Sequence, residues 1–115
     1  MKKVLTIIFF SFFLILNSLV FAHPPTDIIF NYNAKNKILS VGIAHSVKDS
    51  KKHFIKEIDI KVNNKDWINQ EFSSQTNLDV LAASYAQVDL KKGDAIEVLA
   101  VCNQSGKFSK KFKVE

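Results

Sequence analysis

Phe54-Ile55-Lys56-Glu57-Ile58-Asp59-Ile60-Lys61-Val62, followed by Asn63-Asn64-Lys65, is the stretch on which the fold turns. Its apolar and charged residues repeat with period two, not 3.6, which predicts a strand with one face buried. Phe54, Ile58, Ile60 and Val62 fall on one face, and Ile55, Glu57, Asp59 and Lys61 on the other. Asn63-Asn64-Lys65 supplies turn residues for a hairpin into a second strand from about Trp67 to Phe72.

Working outward, the same alternation recurs on both sides. Toward the amino terminus, Ile28, Phe30 and Tyr32 alternate with more polar positions, and Asn33-Ala34-Lys35-Asn36 makes a turn. Leu39, Val41 and Ile43 then alternate with Ser40, Gly42 and Ala44, and this strand runs directly into His45. Toward the carboxy terminus, Val80-Leu81-Ala82-Ala83 is ambiguous between a helical turn and a loop. It is read as loop, leading into a strand from Tyr85 to Leu90. Lys91-Lys92-Gly93-Asp94 is a turn, and Ile96 to Cys102 is apolar on both faces, as in a central strand. In the last stretch Phe108, Phe112 and Val114 face inward, against Lys107, Lys111 and Lys113 outward. Trp67, Tyr85 and the phenylalanines are expected in the core. About seven short strands at even spacing predict an all-β, immunoglobulin-like antiparallel β-sandwich.

The first 22 residues carry a different signal. Lys2 and Lys3 precede an apolar run from Val4 to Leu16, and Val20-Phe21-Ala22 places small residues where signal peptidase reads them. A signal peptide over 1–22, cleaved after Ala22, is expected, leaving one domain over 23–115 in the periplasm or secreted. The competing reading is a retained anchor, since Val4 to Ala22 is just long enough to span a bilayer. Cleavage would remove two lysines and lower the formal charge from +5 to +3. Every remaining basic residue is lysine and none is arginine, so the bidentate contacts typical of nucleic-acid recognition are missing. No nucleic acid is expected as a partner.

The chain has one cysteine, Cys102, and three histidines, His23, His45 and His53. An unpaired cysteine in an exported domain is a metal ligand, a reactive thiol or a small core residue. His45 ends one predicted strand, His53 opens the next and Cys102 ends another, so all three are placed at strand ends, where a sandwich gathers its loops. A thiolate with imidazoles suits iron, zinc or copper better than magnesium or calcium. No Ser-His-Asp set, paired-carboxylate motif, phosphate loop or dinucleotide fingerprint is present.

The histidine closing a strand, the polar loop, Lys52-His53-Phe54-Ile55 and the late Cys102-Asn103-Gln104-Ser105-Gly106 together resemble the desulfoferrodoxin and superoxide reductase iron domain. The start, His23-Pro24-Pro25-Thr26-Asp27-Ile28, resembles that of exported members of the family. The resemblance implies a ferrous ion held by equatorial imidazoles and an axial thiolate, with one open position at which superoxide is reduced to peroxide. It assigns equatorial roles to His45 and His53, the axial role to Cys102 and, more loosely, a ligand role to His23. It also implies a lysine that guides the anion inward, and Lys52 is the candidate; otherwise Lys48, Lys51 and Lys52 make a solvated loop. The chain departs from the family pattern in three places. Ser105 stands where the motif has its last histidine, Ser46 replaces a proline, and the gap from His45 to His53 is longer.

Three functions follow from this reading. One is an exported superoxide reductase-like oxidoreductase with mononuclear iron, which also needs a redox donor. A second is a copper-binding module using the free amine and imidazole of His23 after cleavage. The third is a metal-free sandwich that binds a protein or small-molecule partner.

Overall fold

The alternation of Ile28, Phe30 and Tyr32 is realised as β1 (Asp27–Asn33), and that of Leu39, Val41 and Ile43 as β2 (Ile38–Ala44). The computed structural model describes residues 23–115; the expected leader, 1–22, lies outside the described residues. Five further strands follow: β3 (Ile55–Val62), β4 (Lys65–Glu71), β5 (Val80–Tyr85), β6 (Ala95–Cys102) and β7 (Lys107–Lys113). They form two antiparallel sheets, one in the order β1-β2-β5 and the other β4-β3-β6-β7. This is the expected sandwich, and β4 is hydrogen-bonded to β3 as the predicted hairpin requires. Between the sheets lie Ile28, Leu39, Ile43, Ile55, Ile58, Ile60, Ile96 and Val98, all essentially without solvent exposure. Buried aliphatic side chains of this size contribute about 1.5–3 kcal/mol each, and no disulfide supplements them.

The β3–β4 hairpin turns on Asn63 and Asn64, both at positive φ (50° and 68°). Two consecutive left-handed residues make the turn whose twist matches the flanking strands, and asparagine adopts that backbone more readily than most residues.

Three sequence expectations fail, each for a definable reason. First, Ile55 is buried, not outward. The register between β3 and β6 shifts between Ile55 and Glu57, so Lys56 is an extra residue and the parity of the strand reverses there. Second, the strand near the ambiguous stretch is Val80–Tyr85, while Tyr85 to Leu90 is mostly irregular. Val80 to Tyr85 pairs residue by residue with Ala44 to Leu39, and Gln87 at φ 58° turns the chain away. The Tyr32 hydroxyl then ties the crossing chain down, donating to the Val88 carbonyl and accepting from the Leu90 amide. Third, Trp67 is 41% exposed. β4 is the edge of its sheet, and Ile68 is its residue packed against the core. Tyr85, half-buried, does pack against the core.

The topology brings one set of strand ends together. β2 and β6 terminate, and β3, β5 and β7 begin, at the same end of the sandwich. Loops 45–54, 72–79 and 103–106 meet there.

Candidate metal centre

His45 continues the inward parity of Leu39, Val41 and Ile43, which carries its imidazole into that end of the sandwich with no solvent exposure. Its backbone is fixed by a hydrogen bond from its amide to the Asp79 carbonyl at 2.9 Å. Its Nδ1 faces Gln75 Oε1, and its Nε2 lies 3.0 Å from the His23 carbonyl oxygen. A buried imidazole with a polar group close to each ring nitrogen is a fixed group, not a loose surface side chain.

His53 arrives by a turn. Asp49 starts it, its carbonyl accepting from the amides of Lys52 (3.2 Å) and His53 (2.9 Å) while its carboxylate accepts from Lys51 (3.0 Å). The bulge at Lys56 also matters here. His53 has the same parity as Ile55, so the reversal that buries Ile55 turns His53 toward Cys102 as well. Asn103 locks the approach, accepting from the Phe54 amide at 2.9 Å and donating to the Lys52 carbonyl at 3.0 Å.

Cys102 pairs with Ile55 at the end of β6 and is 4% exposed. The loop after it curls back so that the amides of Gln104 and Ser105 both donate to Sγ at 3.4 Å. Two backbone N–H groups are thus aimed at one sulfur. The curl closes at Gly106, where φ is +69°, with the Cys102 amide donating to the Gly106 carbonyl at 3.0 Å. A side chain there would meet Pro24 Cβ at 3.0 Å. The glycine therefore serves the turn and also lets the His23–Pro24 segment lie against the cysteine loop.

That contact delivers His23. Its ring centroid lies 5.2 Å from that of His45 and 5.8 Å from that of His53, while those two are 4.6 Å apart and nearly perpendicular. Three imidazoles and one thiol thus share one end of the sandwich, as the strand-end argument predicted for His45, His53 and Cys102. His23, which the sequence placed only loosely, joins them.

The geometry suits a single ion. The donor atoms of His45, His53 and Cys102 all lie within 4.8 Å of one another. With metal bonds of about 2.1 Å to nitrogen and about 2.3 Å to sulfur, donors at a right angle stand about 3.1 Å apart. His53 Nε2 and Cys102 Sγ are separated by 3.1 Å. Burial, and then the neighbouring imidazoles of His45 and His23, hold His53 below the ordinary imidazole pKa, which keeps its nitrogen available as a donor. The cluster of His45, His53 and Cys102 can hold a metal ion.

Beside the cluster a depression of about 530 Å³ opens to solvent, lined by His23, Lys48, Asp49, Lys52, His53 and Gln104 among others. Lys52 is therefore at the mouth of the site, and its carbonyl is held by Gln104 Nε2 at 2.8 Å. Ser105 contributes its amide to Cys102. The residue at this site that sequence reasoning missed is Gln75, which is 6% exposed and in contact with His45. Its surroundings, Ser73-Ser74-Gln75-Thr76-Asn77, carry no signal beyond polarity.

No family model matches the chain, and comparison with curated proteins and with solved structures gives no match either.

Proposed function

We propose that this domain is an exported, superoxide reductase-like protein that holds one iron ion through Cys102, His45 and His53, with His23 as a further imidazole. The observation that carries the proposal is the convergence of one buried and one half-buried imidazole on a sulfur that already accepts two amide N–H bonds. A soft thiolate with borderline nitrogens selects iron, copper or zinc over hard cations. Bound ferrous iron would supply one electron, which together with two protons from solvent takes superoxide to hydrogen peroxide. The protein's own groups do the rest. Cys102 donates electron density, and the amides of Gln104 and Ser105 fix its lone pairs. His45 and His53 set the ion's position from two different strands. Lys52 and Lys48 at the mouth favour a small anion, as positive charge beside a cleft raises the local concentration of anionic substrate. An external donor must return the electron.

Ser105 leaves the donor set one imidazole short of the related pattern, so turnover is expected to be slow. Ser105→His tests this directly: it should raise iron retention and superoxide consumption, and the gain should vanish in His53→Ala. A Ser105→His protein that retains no iron would refute the iron reading.

A second reading is favoured by one observation, the contact of the His23 and His45 rings at 5.2 Å. If the mature chain begins at His23, its amine and imidazole form a chelating pair beside His45 that suits copper. A single extra residue before His23 should abolish copper binding under that reading and change iron binding little.

A further inference from the structure

The buried amide of Gln75 touches the candidate centre from the side away from solvent, and its hydrogen bonds admit only one assignment. Gln75 Nε2 lies 2.9 Å from the His45 carbonyl and 3.1 Å from the Asn77 carbonyl, both of which only accept. Gln75 Oε1 receives the Ile55 amide at 3.2 Å, and that group only donates. Exchanging oxygen and nitrogen would set each of these three contacts against itself, so Oε1 is the atom that faces His45 Nδ1. A carbonyl oxygen cannot donate, so this buried contact is a hydrogen bond only when Nδ1 carries the proton.

A consequence follows for the opposite side of the ring. With its proton on Nδ1, a neutral imidazole presents a bare lone pair at Nε2. That lone pair stands 3.0 Å from the His23 carbonyl oxygen, another acceptor. Two facing acceptors repel unless a positive centre, a proton or a metal cation, stands between or beside them. Nε2 is thus the nitrogen that the fold prepares for a cation.

We propose that Gln75 is the positioning residue of the metal centre: it holds His45 in the Nδ1-protonated tautomer and so presents Nε2 to the ion. The inference rests on the metal-centre reading and extends it to a residue outside the donor set. Gln75 also reaches the second histidine's carrier, because its own amide donates to the Ser50 carbonyl at 3.0 Å within the loop that leads to His53. Residue 75 therefore braces His45 and the start of β3 through its side chain, and the His53 loop through its backbone. Groups that hydrogen-bond the remote nitrogen of a ligating histidine fix its orientation and basicity, and their loss typically weakens metal affinity by about 10–100-fold.

The test compares full-chain wild type, Gln75→Met and Gln75→Glu. Long-range nitrogen-15 spectra of metal-free protein, at a pH where imidazoles are neutral, report the His45 tautomer, and competition against a chelator gives the Co2+ affinity. Wild type should show His45 protonated at Nδ1. Gln75→Met fills the space without an acceptor, so it should shift the ring toward the Nε2-protonated form and weaken Co2+ binding by about 10–100-fold. Gln75→Glu keeps an acceptor facing Nδ1 and, in its protonated form, a donor toward the His45 and Asn77 carbonyls, so it should restore the Nδ1 proton and part of the affinity. Should Gln75→Met fail to fold, wild type and Gln75→Glu still decide the matter by their tautomers. A wild-type His45 protonated at Nε2 overturns the inference, as does a folded Gln75→Met with unchanged Co2+ affinity. Wild type that shows the Nδ1 tautomer but binds neither Co2+ nor iron overturns the metal reading itself, and with it the purpose assigned to Gln75.

Discussion

Replacing Gly106 by alanine should damage the fold and the site together, by amounts that can be separated. The residue sits at φ +69°, where a Cβ costs an L-residue about 1–2 kcal/mol. The same Cβ would meet Pro24 Cβ at 3.0 Å, so the exposed Pro24 must give way by a few tenths of an ångström. That displacement falls on His23, the neighbour whose ring and carbonyl both face His45. Gly106→Ala should therefore lower thermal stability by about 1–2 kcal/mol. For a domain of this size each kcal/mol corresponds to a fall of about 4–8 °C in Tm. Gly106→Asn is the control: asparagine tolerates left-handed backbone better, but its Cβ contacts Pro24 in the same way. It should recover part of the lost stability and none of the lost metal affinity. Thermal unfolding followed by circular dichroism, with Co2+ titration of each folded variant, reads both effects. A Gly106→Ala protein with the wild-type Tm, or an asparagine variant no more stable than alanine, would refute the backbone argument. Unchanged Co2+ affinity in both would refute the claim that the cysteine loop places His23.

Two further outcomes are expected. Oxidised iron-loaded protein should show a visible sulfur-to-iron charge-transfer band that is absent in Cys102→Ser, because serine offers a hard oxygen where a polarizable thiolate stood; absorption spectra of both proteins check this. Stability of the metal-free protein should rise with pH through the range from the depressed His53 pKa up to about 6.5, since there the unfolded chain binds more protons than the folded one. Below that range the full penalty for His53 is present, and above it none is. Urea midpoints measured across the range should show the slope in wild type and a shallower one in His53→Gln; equal slopes would contradict it.

The sequence made most of the sandwich legible because β1, β2 and β7 keep period-two patterning against a common core and β6 is a nearly continuous apolar run. It failed where pairing, not patterning, decides. Val80-Leu81-Ala82-Ala83 has no alternation, and it becomes a strand because β2 offers it an unpaired edge. Ile55 was assigned to the wrong face because one extra residue at Lys56 reverses parity, and no feature of the sequence marks a bulge. Trp67 is exposed because β4 lies at a sheet edge, which depends on topology.

The site divides in the same way. His45, His53 and Cys102 were placed at strand ends by patterning, and three-dimensional structure brings them together. The bulge that misled the reading of Ile55 is also what turns His53 inward. His23 reaches the cluster through the packing of Pro24 on Gly106, a contact between residues at opposite ends of the described chain. Gln75 was invisible in the sequence because its importance lies in three-dimensional satisfaction of its amide, not in its residue type.

X-ray absorption on protein expressed from the full 115-residue sequence and purified without added metal tests the central claim most directly. The account predicts one iron per chain, with a single sulfur scatterer at about 2.3 Å and imidazole nitrogens at about 2.1 Å, the sulfur being lost in Cys102→Ser. Protein that contains no metal, or whose metal has no sulfur neighbour, would contradict it.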